Sequence, residues 1–192
     1  MGSHMSNTKK QAEPAVEPLG TGPINMSFEL VVIPVSDVDR ARRFYATLGW
    51  RLDLDFEGPD DYRVIQFTPP GSGSSVIFGK NVTTASPGSM QGLYLIVPDI
   101  KAARDELGRR GIEVSEPFHD TGGVFHHADG KGVANGLNPQ RHSYATYASF
   151  SDPDGNGWLL QEITARLSAD VKPNDARFTP GILKAVFGAA AG

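Results

Sequence analysis

The chain contains no cysteine. Disulfides, zinc–thiolate centres and cysteine nucleophiles are therefore excluded. It also lacks any apolar run approaching the ~20 residues that span a bilayer, and no secretory leader is visible. No basic stripe offsets a formal net charge of -4, so nucleic acid is not an expected partner. Together these absences leave a cytoplasmic protein with neither membrane nor nucleic acid as partner.

What is present suits one compact domain, or two small halves sharing a core: 192 residues, 39% hydrophobic, with 22 Gly and 14 Pro. Met1 to Met5 has the form of a vector scar, and the polar stretch to about residue 23 reads as a disordered leader. The most informative feature is internal. LVVIPVSDVDRA from Leu30 and GLYLIVPDIKAA from Gly92 coincide at an offset of 62 residues. Val35 falls on Val97, Asp37 on Asp99, Ala41 on Ala103 and Gly49 on Gly111. A shared period of this length means two copies of one supersecondary unit.

Each copy has a physical reading. Phe28 to Val35 is apolar and β-branched, hence a strand. Asp37 stands where an N-cap belongs, and Ala41, Phe44, Tyr45 and Leu48 recur at helical spacing. Gly49 ends that helix, and strands follow at Trp50 to Phe56, Tyr62 to Thr68 and Ser75 to Gly79. The second copy runs Leu93 to Val97, a helix near Ile100 to Arg110, then strands at Ile112 to Val114, Tyr144 to Ser151 and Trp158 to Thr164. An insertion at 118–141 separates its second and third strands. The expected architecture is α+β, with βαβββ modules at about 24–80 and 90–164 of a domain spanning 24–164. In the tail 165–192, Thr179, Pro180 and an apolar face at Ile182, Leu183, Val186 and Phe187 predict a short helix over 180–189. It would dock on its own domain or on a second subunit.

The chain resembles the vicinal-oxygen-chelate superfamily, the glyoxalase/bleomycin resistance protein/extradiol dioxygenase group. VIPVSDVDRARRFYATLGWRL, the TPPGSG turn and SFSDPDGNGWLLQEI carry the resemblance, in the family's order, across Phe28 to Thr164. It implies a cup-shaped, eight-stranded mixed sheet with helices outside and a small-molecule pocket inside. It does not imply one reaction, since the fold hosts isomerases, dioxygenases, thiol transferases and plain drug binders. Family enzymes usually hold a divalent ion, and the resemblance places the four ligand positions at Leu30, Gln66, Gly92 and Leu159. Leu and Gly cannot coordinate, and the Gln amide is a weak neutral donor. Glu29 and Glu162 lie one residue away, where strand alternation turns them to the opposite face unless a β-bulge intervenes. No metal or other cofactor is expected.

DPDGNG also matches the start of an EF-hand loop, with Asp152, Asp154, Asn156 and Gly157 at positions 1, 3, 5 and 6. Position 12 is then Ile163 instead of a bidentate Glu, and strands flank the loop. The stretch reads as a hairpin turn.

The histidines outside the scar, His119, His126, His127 and His142, all lie in or beside the insertion. They satisfy loop groups or face solvent, or His126 or His127 serves as a general acid/base, or His119, His126 or His127 with Asp120 forms an unusual metal site. In the second reading Arg141 holds an anionic or carbonyl group. Gln66 and Tyr94 face the cup by strand parity. The expected ligand-binding set is Leu30, Gln66, Tyr94, His119, Arg141 and Leu159, with His126 and His127 as catalytic candidates. The expected function is small-molecule binding without the usual metal, with a lyase or isomerase step through the loop histidines. The alternatives are a non-catalytic drug or metabolite binder of bleomycin-resistance type, and a metal-dependent glyoxalase-like lyase or dioxygenase. A homodimer is a candidate assembly.

Overall fold

The computed structural model describes residues 26–122, 124 and 130–188. The leader, His126 and His127 lie outside the described residues. Module one runs β1 (Leu30–Val32), α1 (Val38–Thr47), β2 (Arg51–Glu57), β3 (Arg63–Thr68) and β4 (Ser75–Lys80). Module two runs β5 (Leu93–Val97), α2 (Ile100–Arg109), β6 (Phe118–Asp120), β7 (Val133–Asn135), β8 (Thr146–Ser151) and β9 (Gly157–Glu162). A third helix, α3 (Pro180–Gly188), follows.

The helix starts form as the sequence dictates. Asp37 accepts from the Arg40 amide at 2.9 Å, and Asp99 accepts from the Ala102 amide at 3.0 Å. Gly49 and Gly111 follow the two helices at φ 77° and 79°, a conformation cheap only for glycine. Each module builds its own sheet, in the orders β1-β4-β3-β2 and β5-β9-β8-β6-β7, with β1 parallel to β4 and β5 parallel to β9. The α+β class and the tandem repeat hold. The described residues carry nine strands in sheets of four and five, where one eight-stranded sheet was expected.

The surplus strand comes from the insertion. No strand forms at Ile112 to Val114. Ile112 is drawn into the core, Arg104 Nε donates to the Ser115 carbonyl, and Pro117 has no N–H to give a ladder. Ser115 still meets Ser149 of β8, but the ladder beside β8 is made by β6, which pairs with β7 as a hairpin inside the insertion.

Both sheets turn their helix-side faces into one core. Tyr45 of α1 sits at its centre, fully buried, with ring centroids 5.2 Å from Phe78, 5.3 Å from Trp50 and 6.2 Å from Trp158. The first two neighbours belong to module one and Trp158 to module two. The halves therefore stand back to back, and their other faces look outward.

The DPDGNG turn fastens this junction. Asp152, 5% exposed, accepts from the Tyr45 hydroxyl at 3.0 Å and from Asn156 Nδ2 and the Asp154 and Asn156 amides at 2.8–2.9 Å. Asn156 Nδ2 also donates to the Pro34 carbonyl, and its Oδ1 accepts from the Met90 amide. Asp154 accepts from Ser36 and Arg40. Burial and the Asp152 carboxylate push the Tyr45 phenol far above its usual range, so it remains a donor. The tail folds onto its own chain. Val171, Phe178 and Ile182 form a second small cluster against Tyr144, and the Ser143 amide donates to the Arg177 carbonyl at 2.8 Å.

Tyr45→Phe is expected to lower unfolding free energy by about 1–2 kcal/mol, because it removes the hydroxyl but keeps the ring. Asp152→Ala should cost roughly 3 kcal/mol or more, because four donors lose their acceptor. Urea titration followed by tryptophan fluorescence reads both. Equal effects would contradict the carboxylate as the hub.

Candidate functional site

The outward faces follow from strand register. On module one, Leu30 pairs with Ser75 and Val32 with Ile77, while Gln66 stands between Ile77 and Leu54. These side chains share the face away from α1, since their neighbours Ile65, Phe67, Val76 and Phe78 fill the core. Leu54 and Phe56 on β2 are 43% and 51% exposed. On module two, Tyr94 pairs with Leu159 and Ile96 with Gln161, opposite the core residues Leu93, Leu95 and Leu160. Tyr94 and Ile96 are 43% and 46% exposed. A hollow of about 640 Å³ opens here, walled by Gln91, Gly92, Tyr94, Ser149, Trp158 and Leu159.

Leu30, Gln66, Tyr94 and Leu159 thus lie on outward faces, two on each module. Arg141 and His119 lie elsewhere. Arg141 makes a two-pronged pair with Glu162, Nε to Oε1 at 3.0 Å and Nη2 to Oε2 at 2.7 Å. Glu162 is fully buried on the helix side, and its Oε2 also accepts from the Ile100 amide at the start of α2. The pair ties the end of the insertion to α2 and occupies the fork of the guanidinium. His119 pairs in register with Thr146, on the reverse of the face carrying Phe118 and Tyr147. Its Nδ1 lies 3.0 Å from the Gly136 carbonyl.

The four positions where the family resemblance places metal ligands do not fit a divalent ion. Leu30, Gly92 and Leu159 offer no side-chain donor, and the Gln66 amide nitrogen donates to Ser75 Oγ at 3.2 Å. Glu162 is turned away by an uninterrupted register along β9. No cluster of three His, Asp or Glu with metal-ligand spacing occurs among the described residues.

A bulge does occur, on a different strand. The β2 register slips between Leu52 and Leu54. Simple alternation puts Asp53 on the helix side with Asp55, but the slip carries its carboxylate to the outward face. There it accepts from the Thr68 hydroxyl and pairs with Arg51. Asp53, Thr68, Ser75 and Ser149 were not anticipated. A bulge leaves no mark in composition or period, so no sequence signal pointed to Asp53, whereas Thr68, Ser75 and Ser149 follow from the same alternation that places Gln66 and Leu159.

Another hollow, of about 810 Å³, lies at the end of module one among Asp37, Asp39, Glu57, Asp61, Arg63 and Lys80. Its charges serve each other: Arg63 pairs with Asp39 and Asp55, and Lys80 with Asp61. It lacks the apolar lining of a small-molecule site.

Residues 27–124 match the model of the Glyoxalase/Bleomycin resistance protein/Dioxygenase superfamily. The chain belongs to this superfamily. TnmS3, an antibiotic binding protein from Streptomyces sp. CB03234, is 29% identical, with a TM-score of 0.55 over 74% of this chain and 99% of its own. A glyoxalase/bleomycin resistance protein from the same organism is 31% identical, with a TM-score of 0.52 over 71% of this chain and 100% of its own. A superfamily member from Sphaerobacter thermophilus DSM 20745 is 27% identical, with a TM-score of 0.51 over 72% and 98%. No curated protein matches. The superfamily's architecture accounts for the paired βαβββ modules, and no helix among the described residues is long and apolar enough to cross a membrane.

Glu162→Gln is expected to destabilise the protein by roughly 3 kcal/mol, since it uncouples a buried carboxylate from Arg141 and from the start of α2. Denaturant unfolding measures this. A neutral effect on stability would sink the structural role assigned to Glu162.

Proposed function

We propose that this superfamily member binds a small, largely apolar organic molecule on its outward sheet faces, without a divalent metal. The carrying observation is the pair of uncovered faces, where Leu54, Phe56, Tyr94 and Ile96 are 43–51% exposed. Apolar surface sprinkled with a few polar groups is what small-molecule sites are made of. Burial raises the Tyr94 phenol, which keeps it protonated and able to donate at neutral pH. The similarity to an antibiotic binding protein agrees with binding in place of turnover. The lyase or isomerase reading depends on His126 and His127, which lie outside the described residues, and nothing on the outward faces favours it.

A second copy belongs to the same proposal. The chain cannot bring its two faces together, because its modules share a core on the reverse side. The modules have the same strand order, so a copy related by a two-fold axis lays module two over module one and module one over module two. Two equivalent pockets result, each walled by both copies.

Light scattering is expected to give about twice the 20.6 kDa chain mass. Phe56→Glu and Ile96→Glu should shift the protein to monomer and release any small molecule seen by native mass spectrometry. A monomeric wild-type protein with no bound molecule would contradict the proposal. So would stoichiometric divalent metal, in protein purified without chelator, that is lost on Gln66→Leu. A captured ligand that emerges chemically unchanged supports binding over turnover.

A further inference from the structure

The outward face of module one carries a directional hydrogen-bond chain. Gln66 Nε2 lies 3.2 Å from Ser75 Oγ, Ser75 Oγ lies 2.7 Å from Thr68 Oγ1, and Thr68 Oγ1 meets the Asp53 carboxylate. Thr68 and Ser75 are 7% and 8% exposed, so water does not substitute for these partners. Donor counting fixes the direction. An ionised carboxylate only accepts, so the single Thr68 hydrogen goes to Asp53. Thr68 must then accept from Ser75, whose single hydrogen is thereby used. Ser75 can receive only a donor from Gln66, so the amide must present its nitrogen to Ser75. The flipped amide would set its oxygen against the Ser75 lone pairs.

Asp53 stays ionised at neutral pH because Arg51 beside it holds the carboxyl below its usual range, with Thr68 and Gln66 adding to the effect. The β2 bulge that turns Asp53 outward therefore sets the orientation of a residue on the neighbouring strand. Gln66 Oε1 has no hydrogen-bond partner among the described residues, and the side chain stands in register between Leu54 and Ile77.

We propose that Gln66 is the specificity-determining residue of the ligand face, presenting a fixed carbonyl acceptor that selects apolar molecules carrying a hydroxyl or N–H donor. This rests on the small-molecule-binding reading and adds the chemistry of what is bound. Nothing in residue type determines it, since a free glutamine offers donor and acceptor equally. The hydrogen bond from its nitrogen to Ser75 fixes which end of the amide is the oxygen. A ligand that lacks the donor leaves Oε1 desolvated and unpaired, which weakens binding.

The test is fluorescence titration of the full chain with 2-naphthol and with its methyl ether, 2-methoxynaphthalene, in which a methyl group replaces the donor hydrogen, and the readout is how the wild-type affinity ratio changes in the variants. The expected preference for 2-naphthol is about three- to tenfold, the worth of one net hydrogen bond. Gln66→Leu should abolish the preference for 2-naphthol while the ether still binds, its extra methyl bringing the ratio to one or below. Thr68→Val, close in shape, should cut the preference by releasing Ser75 and so the amide. Equal affinities in the wild type, or a preference that survives Gln66→Leu, would overturn this inference and leave the binding reading intact. A preference untouched by Thr68→Val would overturn the directional chain. Failure of both probes to bind would overturn the inference together with the reading beneath it.

Discussion

The carboxylate of Asp152 is the constraint on which the arrangement of the molecule depends. It collects four hydrogen bonds in a site almost closed to water, one of them from a tyrosine of the other module. Asn156 extends the same junction to the Pro34 carbonyl and the Met90 amide. A buried charge is tolerable only when surrounded by donors in this way. Once the turn is seated, Trp158 follows it into contact with Tyr45 and Trp50, and the two sheets are committed to standing back to back. The uncovered faces are the consequence. A hydrogen-bonded turn on one side of the molecule therefore decides which surfaces stay uncovered on the other.

Those surfaces show why a shared fold does not transmit chemistry. The positions that would hold a metal carry leucine, glycine and an already engaged glutamine. The acidic residues close by have other work: Glu162 is locked to Arg141 and the start of α2, and Asp53 is engaged by the Thr68 hydroxyl and the Arg51 guanidinium. What remains is an apolar face with a small, oriented polar element. This is the composition that the proposed small-molecule binding requires.

Much of this was legible in the sequence. The offset of 62 residues revealed two modules, and both helix N-caps fell where Asp37 and Asp99 predicted. Strand parity put Gln66 and Tyr94 on the cup side of their strands and the family resemblance put Leu159 there, with Glu162 opposite; the register sets Gln66, Tyr94 and Leu159 on the faces away from the helices. The readings that shifted share one cause, namely competition between partners distant in sequence. Ile112 to Val114 has strand composition, but Ile112 was captured by the core and the Ser115 carbonyl by Arg104. Arg141 looked free to grip a ligand because its partner, Glu162, lies 21 residues away on β9.

The sequence by itself determined the periodic features: which residues form strands and helices, where helices start and stop, and which side of each strand is apolar. These depend on local backbone preferences and on alternation, both written in neighbouring residues. Only the tertiary structure decided how the modules face each other, where the β2 bulge turns Asp53, and which end of Gln66 is engaged by Ser75. Those outcomes depend on counting donors and acceptors among groups that meet only after folding. A single hydrogen, given by Thr68 to Asp53, settles an orientation that no run of residues encodes.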